Sequence, residues 1–294
     1  MEKQLLIIGG DSFVAGKFII YARDKYSLRI VSRKHTDYKD EIILGDFFEL
    51  SSDIFREIDV VINFAAIVHQ PKLKDEKLYE SINYKLPLFI ANLCLINNVK
   101  HFIQISTISV YGNAYKINSE TPVLPNDLYG KYKLMADIAL SELAQKTDLN
   151  ISILRPSMIY GGGAAPGNFL KLIKLVKMRI PLPFKGIKNS RQFLNVHNFN
   201  VLLNYVIKTG RAGTIIIADP ESISTPELLK AIGSAVKIPV LLFNLPGFWR
   251  IVSIFNRNIV DKLTQDLIIE NTIPNNEITN DKTHSLYQGI IEMI

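Results

Sequence analysis

The chain has 294 residues, 48% of them apolar and 21% charged, an ordinary globular mixture long enough for one large domain or two smaller ones. Its single cysteine, Cys94, excludes an intrachain disulfide and fits a reducing, cytoplasmic setting. The net charge of +6 is one-sided, with no Asp or Glu between Leu149 and Ala218; such a segment focuses anionic ligands, whereas the lack of interleaved exposed aromatics or a binding module excludes nucleic acid.

The N-terminal MEKQLLIIGGD is not a signal peptide, because its apolar run is short and a Gly-Gly turn stands where a cleavage site would be. QLLIIG reads as a strand and FVAGKFIIYARDKY as a helix; LRIVSR, EIILGD and DVVINFAA are the next strands. SINYKLPLFIANLCLINN has helical spacing and places Cys94 on an apolar face, as a buried structural thiol. HFIQIST is a strand, YGKYKLMADIALSELAQKT a helix and ISILRPSMIYG a strand. This alternation predicts an α/β fold with a parallel sheet covered by helices on both faces. Beyond Tyr160 the pattern loosens into a loop (GGGAAPG), a basic helix (NFLKLIKLVK), a turn-rich PLPFKG, a strand (RAGTIIIAD) and a helix capped by Ser224 or Thr225 ahead of Pro226 and Glu227. We therefore expect a dinucleotide-binding domain over 1–165 and a smaller substrate lobe over 166–294, with chain returning to the sheet edge near 195–220. Residues 238–255, IPVLLFNLPGFWRIVSIF, form the one membrane-like stretch; two prolines, a glycine, Asn244 and Arg250 interrupt it, so no spanning helix is expected. Burial against the body of the protein is the expectation, with Phe248 and Trp249 at a membrane surface as its competitor.

Three local patterns carry chemistry. IIGGDSFVAGKFI joins the first strand to the first helix, where a dinucleotide fold needs a tight turn and a helix N-terminus aimed at a pyrophosphate; Gly9, Ser12 and Ala15 occupy the glycine positions of that turn. After the second strand an acid would accept the ribose hydroxyls of NAD, but here Ser32, Arg33 and Lys34 follow, which suits the 2′-phosphate of NADP. Asp46 is set to bond an adenine amine. Finally, DLYGKYKLMADIAL puts Tyr129 and Lys133 on one helix face at i and i+4, and Lys131 and Tyr132 on others; taken alone the pair is equally a solvated helix start.

The glycine turn, Asp46, NFAA (Asn63–Ala66), Asn83, STISVYG (Ser106–Gly112), the Tyr129–Lys133 pair and RPSMIYGGG (Arg155–Gly163) occur in an order and spacing that resembles the extended short-chain dehydrogenase/reductase family of nucleotide-sugar epimerases, dehydratases and reductases. The resemblance covers nearly the whole chain and implies a Rossmann-like, doubly wound sheet with a smaller C-terminal substrate-binding lobe. It implies Tyr129 as the proton donor or acceptor, Lys133 as the cation that stabilises its phenolate and holds the nicotinamide ribose, and Thr107 as the hydroxyl that polarises the substrate oxygen, with Ser106 and Ser109 beside it. It also places Phe13, Val14, Phe47, Ala65, Ala66 and Pro156 against the cofactor. Asn168 and Arg191 would bind the sugar-nucleotide diphosphate, and Leu182, Pro183 and Phe184 would line a uracil pocket. Asn198 stands where many relatives carry Asp, and Asn195 replaces a common residue beside it. The family's 4,6-dehydratases carry Asp–Glu after the threonine, whereas this chain has Ile108 and Ser109, so dehydration is not expected. The expected reaction is NADP-linked reduction of a UDP-4-keto-6-deoxy-N-acetylhexosamine for surface polysaccharide, with an NAD-dependent UDP-sugar 4-epimerase as the alternative and a non-catalytic cofactor-binding protein as a distant one. No metal is expected, and a homodimer through the helices at Asn83 and Tyr129 stays open.

Overall fold

Strands made of Val, Ile and Leu on both faces are stable only where both faces are covered, and in this chain they pair side by side. In the computed structural model, which describes residues 2–68, 75–163, 168–273, 277 and 283–294, β1 (Gln4–Ile8), β2 (Ser27–Ser32), β3 (Glu41–Ile43), β4 (Val60–Asn63) and β5 (His101–Ile105) join β7 (Asn150–Pro156) and β11 (Gly213–Ile217) in one seven-stranded sheet. Its order is β11-β7-β5-β4-β1-β2-β3, and the pairings from β3 across to β7 are parallel. The order reverses direction at β1 and β4, which makes the sheet doubly wound and leaves a crevice at the carboxyl ends of those two strands. The chain forms the α/β sheet expected from the alternation, with the Rossmann-like winding that the family resemblance implies.

Helix α1 (Phe13–Ala22) buries Ala15, Phe18, Ile19 and Ala22, the i, i+3, i+4, i+7 set of one face. Between β4 and β5 run α2 (Glu76–Glu80), which precedes the long helical pattern read there, and a π-helical turn (Ser81–Lys85) and α3 (Leu86–Ile96), which fill it. Cys94 is fully buried on α3, and burial pushes its thiol up, so it is a packing residue. Helix α4 (Leu128–Lys146) begins at the Asp127 cap, which accepts from the Gly130 amide at 2.7 Å. The core between these elements includes Leu6, Ile8, Val61, Phe102, Leu140 and Ile151.

The chain divides into two compact units. One comprises Met1–Gly112, Pro122–Pro156 and Asn200–Ile216, the other Asn113–Thr121, Ser157–Phe199 and Ile217–Ile294. The boundary expected at residue 165 lies outside the described residues. The second unit carries three two-stranded ladders: β8 (Ile159–Tyr160) with β10 (Leu194–Asn195), β9 (Arg191–Gln192) with β12 (Ser222–Ile223), and β6 (Lys116–Ile117) with β13 (Ile268–Ile269). ISILRPSMIYG is thus two strands, β7 and β8, because the chain leaves the large sheet after Pro156. The second unit also holds α5 (Asn168–Lys177), α7 (Thr225–Ala235), α8 (Phe248–Thr264) and α9 (Leu286–Ile291), while α6 (Val196–Thr209) lies mostly in the first. A capping box of Ser224 and Glu227 starts α7, which selects Ser224 from the two candidates.

The stretch 238–255 departs from expectation. The chain's one tryptophan, Trp249, is tied down: its indole donates to the Pro183 carbonyl at 2.8 Å and its ring meets Phe184 at 4.8 Å. Leu241, Leu245, Ile251, Ile254 and Phe255 nevertheless stand exposed, Phe255 at 85%. Burial against the body of the protein therefore accounts for the start of α8 and not for its outer face. No helix among the described residues is long and apolar enough to cross a membrane.

Candidate active site

The turn after β1 is built for a close backbone approach. Gly9 has φ +83°, and a Cβ there would come within 2.8 Å of the Ala65 amide nitrogen. Ser12 caps α1, accepting from the Ala15 amide at 3.3 Å, and the first turn of α1, with Phe13 and Val14, carries no acid to compete for an anion. A cleft of about 270 Å³ opens over this turn, lined by Gly10, Asp11, Ser12, Gly16, Thr36 and Tyr38 among others. A tight glycine turn, a helix N-terminus and an adjoining cleft fit a dinucleotide. Asn63 orders the end of β4: its side-chain carbonyl accepts from the Ala65 amide at 3.0 Å and its side-chain amide donates to Gln104 at 2.9 Å. Ala65 is buried and Ala66 half-buried. Asn83 pairs twice with the Ile67 backbone at 2.9 Å, fixing the loop beyond β4.

Around the end of β2, Ser32 is fully buried and Arg33 and Lys34 are exposed, the Arg33 guanidinium lying 5.9 Å from the centre of the Phe47 ring. Asp46 caps a single 3-10 turn, Phe47–Glu49, by accepting from the Phe48 amide at 3.0 Å. The strongest charge here is one that sequence reasoning does not single out. Glu41, the first residue of β3, has a nearly buried side chain that accepts from the Thr36 amide at 2.9 Å, from the Thr36 hydroxyl and from His35 at 3.1 Å. Although burial pushes the other way, these hydrogen bonds hold its carboxyl down at about 2, so it is ionised. Its signal in the sequence, an acid opening the EIILGD strand, points to no partner.

Of the three groups expected to work together, Thr107 and Tyr129 are in contact, and Lys133 lies one helical turn beyond Tyr129 on α4. Thr107 ends the segment after β5, and its hydroxyl accepts from the Ser109 amide at 3.1 Å and donates to the Ser109 hydroxyl at 3.2 Å. Tyr129 reaches it from the first turn of α4; burial pushes the phenol up to about 12 while a hydrogen bond with the Thr107 side chain draws it down. Lys133, one turn on and 1% exposed, donates to the Ile105 carbonyl at 2.8 Å. Burial pulls its ammonium down to about 8, opposed by the charge of Asp137. Gly130 permits the approach of α4: a Cβ there would lie 2.6 Å from the Ser109 carbonyl oxygen. Lys131 and Tyr132 point away as expected, both to Glu76, at 2.8 and 2.9 Å.

Asp137 is a second residue that sequence reasoning passes over. It is buried, accepts from Ser106 at 2.8 Å and pairs with Arg155 Nε at 2.8 Å, while Arg155 also donates to the Tyr111 hydroxyl at 2.8 Å. Desolvation raises its pKa against the pull of Arg155 and Ser106. The i, i+4 spacing of Lys133 and Asp137 is its legible signal. Pro156 ends β7 and is buried.

In the second unit, Leu182 and Phe184 are 3% and 4% exposed and pack in the core, Leu182 by backbone pairing to Leu241 and Phe243 and Phe184 against Trp249. Arg191 donates to the Gln265 carbonyl at 2.8 Å, and desolvation pulls its pKa down despite Asp266 nearby. The side chain of Asn168 lies outside the described residues. Asn195 and Asn198 serve Asp219: the Asn195 amide and the Asn198 side chain donate to its two oxygens at 2.7 and 2.8 Å.

The family described as NAD dependent epimerase/dehydratase matches residues 5–217. The UDP-glucose 4-epimerase of Vibrio cholerae is 27% identical over 92% of this chain and 88% of its own length. Among solved structures, the UDP-glucuronic acid 4-epimerase of Bacillus cereus in complex with NAD superposes with a TM-score of 0.79 at 19% identity, covering 99% of this chain and 94% of its own. The UDP-N-acetylglucosamine 4-epimerase of Methanobrevibacter ruminantium in complex with UDP-N-acetylmuramic acid gives a TM-score of 0.77 at 17% identity, covering 99% and 97%. At these identities the two structural likenesses bear on the fold alone.

Proposed function

We infer that this chain, which belongs to the NAD dependent epimerase/dehydratase family, is a UDP-sugar 4-epimerase that retains NAD. The observation that carries the reading is the hydrogen bond between the Tyr129 phenol and the Thr107 side chain, with the buried Lys133 ammonium one helical turn along α4. The name of the Vibrio cholerae relative supports 4-epimerisation over the expected 4-keto reduction. The ionised Glu41 carboxylate, nearly buried behind the Thr36 that lines the cleft, supports NAD over NADP through its negative charge.

Bound NAD supplies the hydride acceptor and, on the return, the hydride donor. Tyr129 takes the proton from the sugar 4-hydroxyl as C4 loses its hydride, and returns a proton to the carbonyl oxygen once the opposite face is presented. Thr107 donates to the same oxygen and keeps it in line with the phenol. Lys133 stabilises the phenolate that accepts the first proton and is restored by the second transfer, because a phenol of pKa ~10 is otherwise a poor base near neutral pH. Arg191 pairs with the diphosphate of the substrate.

A keto-sugar reductase remains the second reading because Arg33 and Lys34 stand exposed at the end of β2. Purified protein should carry NAD released on denaturation and should interconvert C4 epimers of UDP-glucose, UDP-N-acetylglucosamine or UDP-glucuronic acid without net cofactor. Protein that is free of NAD and oxidises NADPH only with a UDP-4-keto sugar would transfer the conclusion to the reductase.

A further inference from the structure

Helix α8 and the strand-like segment before it expose an apolar surface that the second unit does not cover. Leu241, Phe243 and Leu245 precede the helix; Ile251, Ile254 and Phe255 lie on it at i, i+3, i+4, and Ile254 and Phe255 are 79% and 85% exposed. Backbone pairing of Leu182 with Leu241 and Phe243 ties this segment to the chain that follows α5, on which Met178 and Ile180 are also exposed. Monomeric proteins rarely leave so many large apolar side chains together, and where they do the surface has a partner.

The charges around the patch say which partner. Lys174, Lys177, Arg179, Lys185 and Arg250 are exposed along the two segments that form it. There is no Asp or Glu from Leu149 to Ala218 nor from Leu228 to Val260, and the one acid of α8, Asp261, is largely covered and lies 3.7 Å from Arg257 of the same helix. We propose that this face seats on an anionic lipid bilayer, with Ile251, Ile254 and Phe255 entering the boundary between headgroups and acyl chains and the cations meeting lipid phosphates. The helix lies in the plane of the surface: it is 17 residues long, carries charge at Arg250 and Arg257, and is anchored to its own unit through Trp249 and Pro183. A second copy of the chain fits less well, because a two-fold contact would set this basic rim against itself, and the one acid of α8, Asp261, is largely covered and already beside Arg257.

The test is co-sedimentation of the full chain with vesicles of phosphatidylcholine alone and of phosphatidylcholine mixed with phosphatidylglycerol. Binding should require the anionic lipid, fall as salt is raised, and drop about tenfold or more in Ile254→Glu/Phe255→Glu, a variant whose NAD content and circular dichroism should match the parent. Lys174→Glu/Lys177→Glu should weaken binding without touching the apolar face. Failure to sediment with either vesicle overturns the proposal. So does a parent that runs as a dimer and becomes monomeric in Ile254→Glu/Phe255→Glu, since the face would then belong to a second copy.

Discussion

Tyr129 and Lys133 differ in what each removes when changed. Tyr129→Phe deletes the transferable proton and little else, so turnover should fall ~10²–10⁴-fold with cofactor content unaltered. Lys133→Ala should cost activity and also release the cofactor more readily. Lys131→Ala and Tyr132→Phe lose only their contacts to Glu76 and should stay close to the parent. Steady-state kinetics on the four variants, with the fold verified by circular dichroism, separates these outcomes, and a Tyr129→Phe enzyme as fast as the parent would remove the proton-transfer role. Arg191 belongs at the same scale. Its guanidinium is partly desolvated and uses a carbonyl rather than a carboxylate as its direct partner, which leaves charge for a phosphate. Arg191→Ala should raise the apparent constant for UDP ~10-fold or more and leave NAD binding alone; equal UDP affinity by calorimetry would reduce it to a structural residue.

At the scale of elements, the turn from β2 to β3 decides how the cofactor cleft is charged. Thr36 and Tyr38 line the cleft, and Glu41 fastens Thr36 from β3. Glu41→Gln keeps the shape and removes the charge, so the affinity for NADP relative to NAD should rise about tenfold. Calorimetry with both cofactors reads this directly, and an unchanged ratio would return the selectivity to Arg33 and Lys34. The α4 start shows how much of the site the sequence exposed. The i, i+4 spacing of Tyr129 and Lys133 was legible because helix geometry alone sets it. The place of Gly130 was not, since the Ser109 carbonyl it must clear comes from another part of the chain.

For the molecule as a whole, buried charge makes stability depend on pH. Asp219 is 6% exposed, and burial pushes its carboxyl up to about 6, against an ordinary 3.8. Between those values the folded state keeps a proton that the unfolded state has lost. Stability from this group therefore falls as pH rises from about 4 to about 6 and is level above, a change on the order of a few kcal/mol. Thermal unfolding across that window should show the parent losing stability relative to Asp219→Asn as pH rises, and parallel curves would refute the assignment.

Short-range regularities were enough to read the alternating elements, the glycine turn, the capped start of α7 and the Tyr129–Lys133 pair, because each depends on residues within a few positions of one another. The tertiary structure alone decided the rest. Asp137 became the centre of a buried network only when α4 was laid beside β7 and Arg155, and Glu41 became the charge behind the cleft only when the β2–β3 loop folded over it. The apolar stretch 238–255 carries the sharpest case. Its hydrophobicity predicts a covered surface, but the sequence holds no sign of which neighbours will cover it, and the fold covers Trp249 while leaving Ile254 and Phe255 outside. Burial is a property of long-range packing, so side chains of equal apolarity a few residues apart come to face core and solvent.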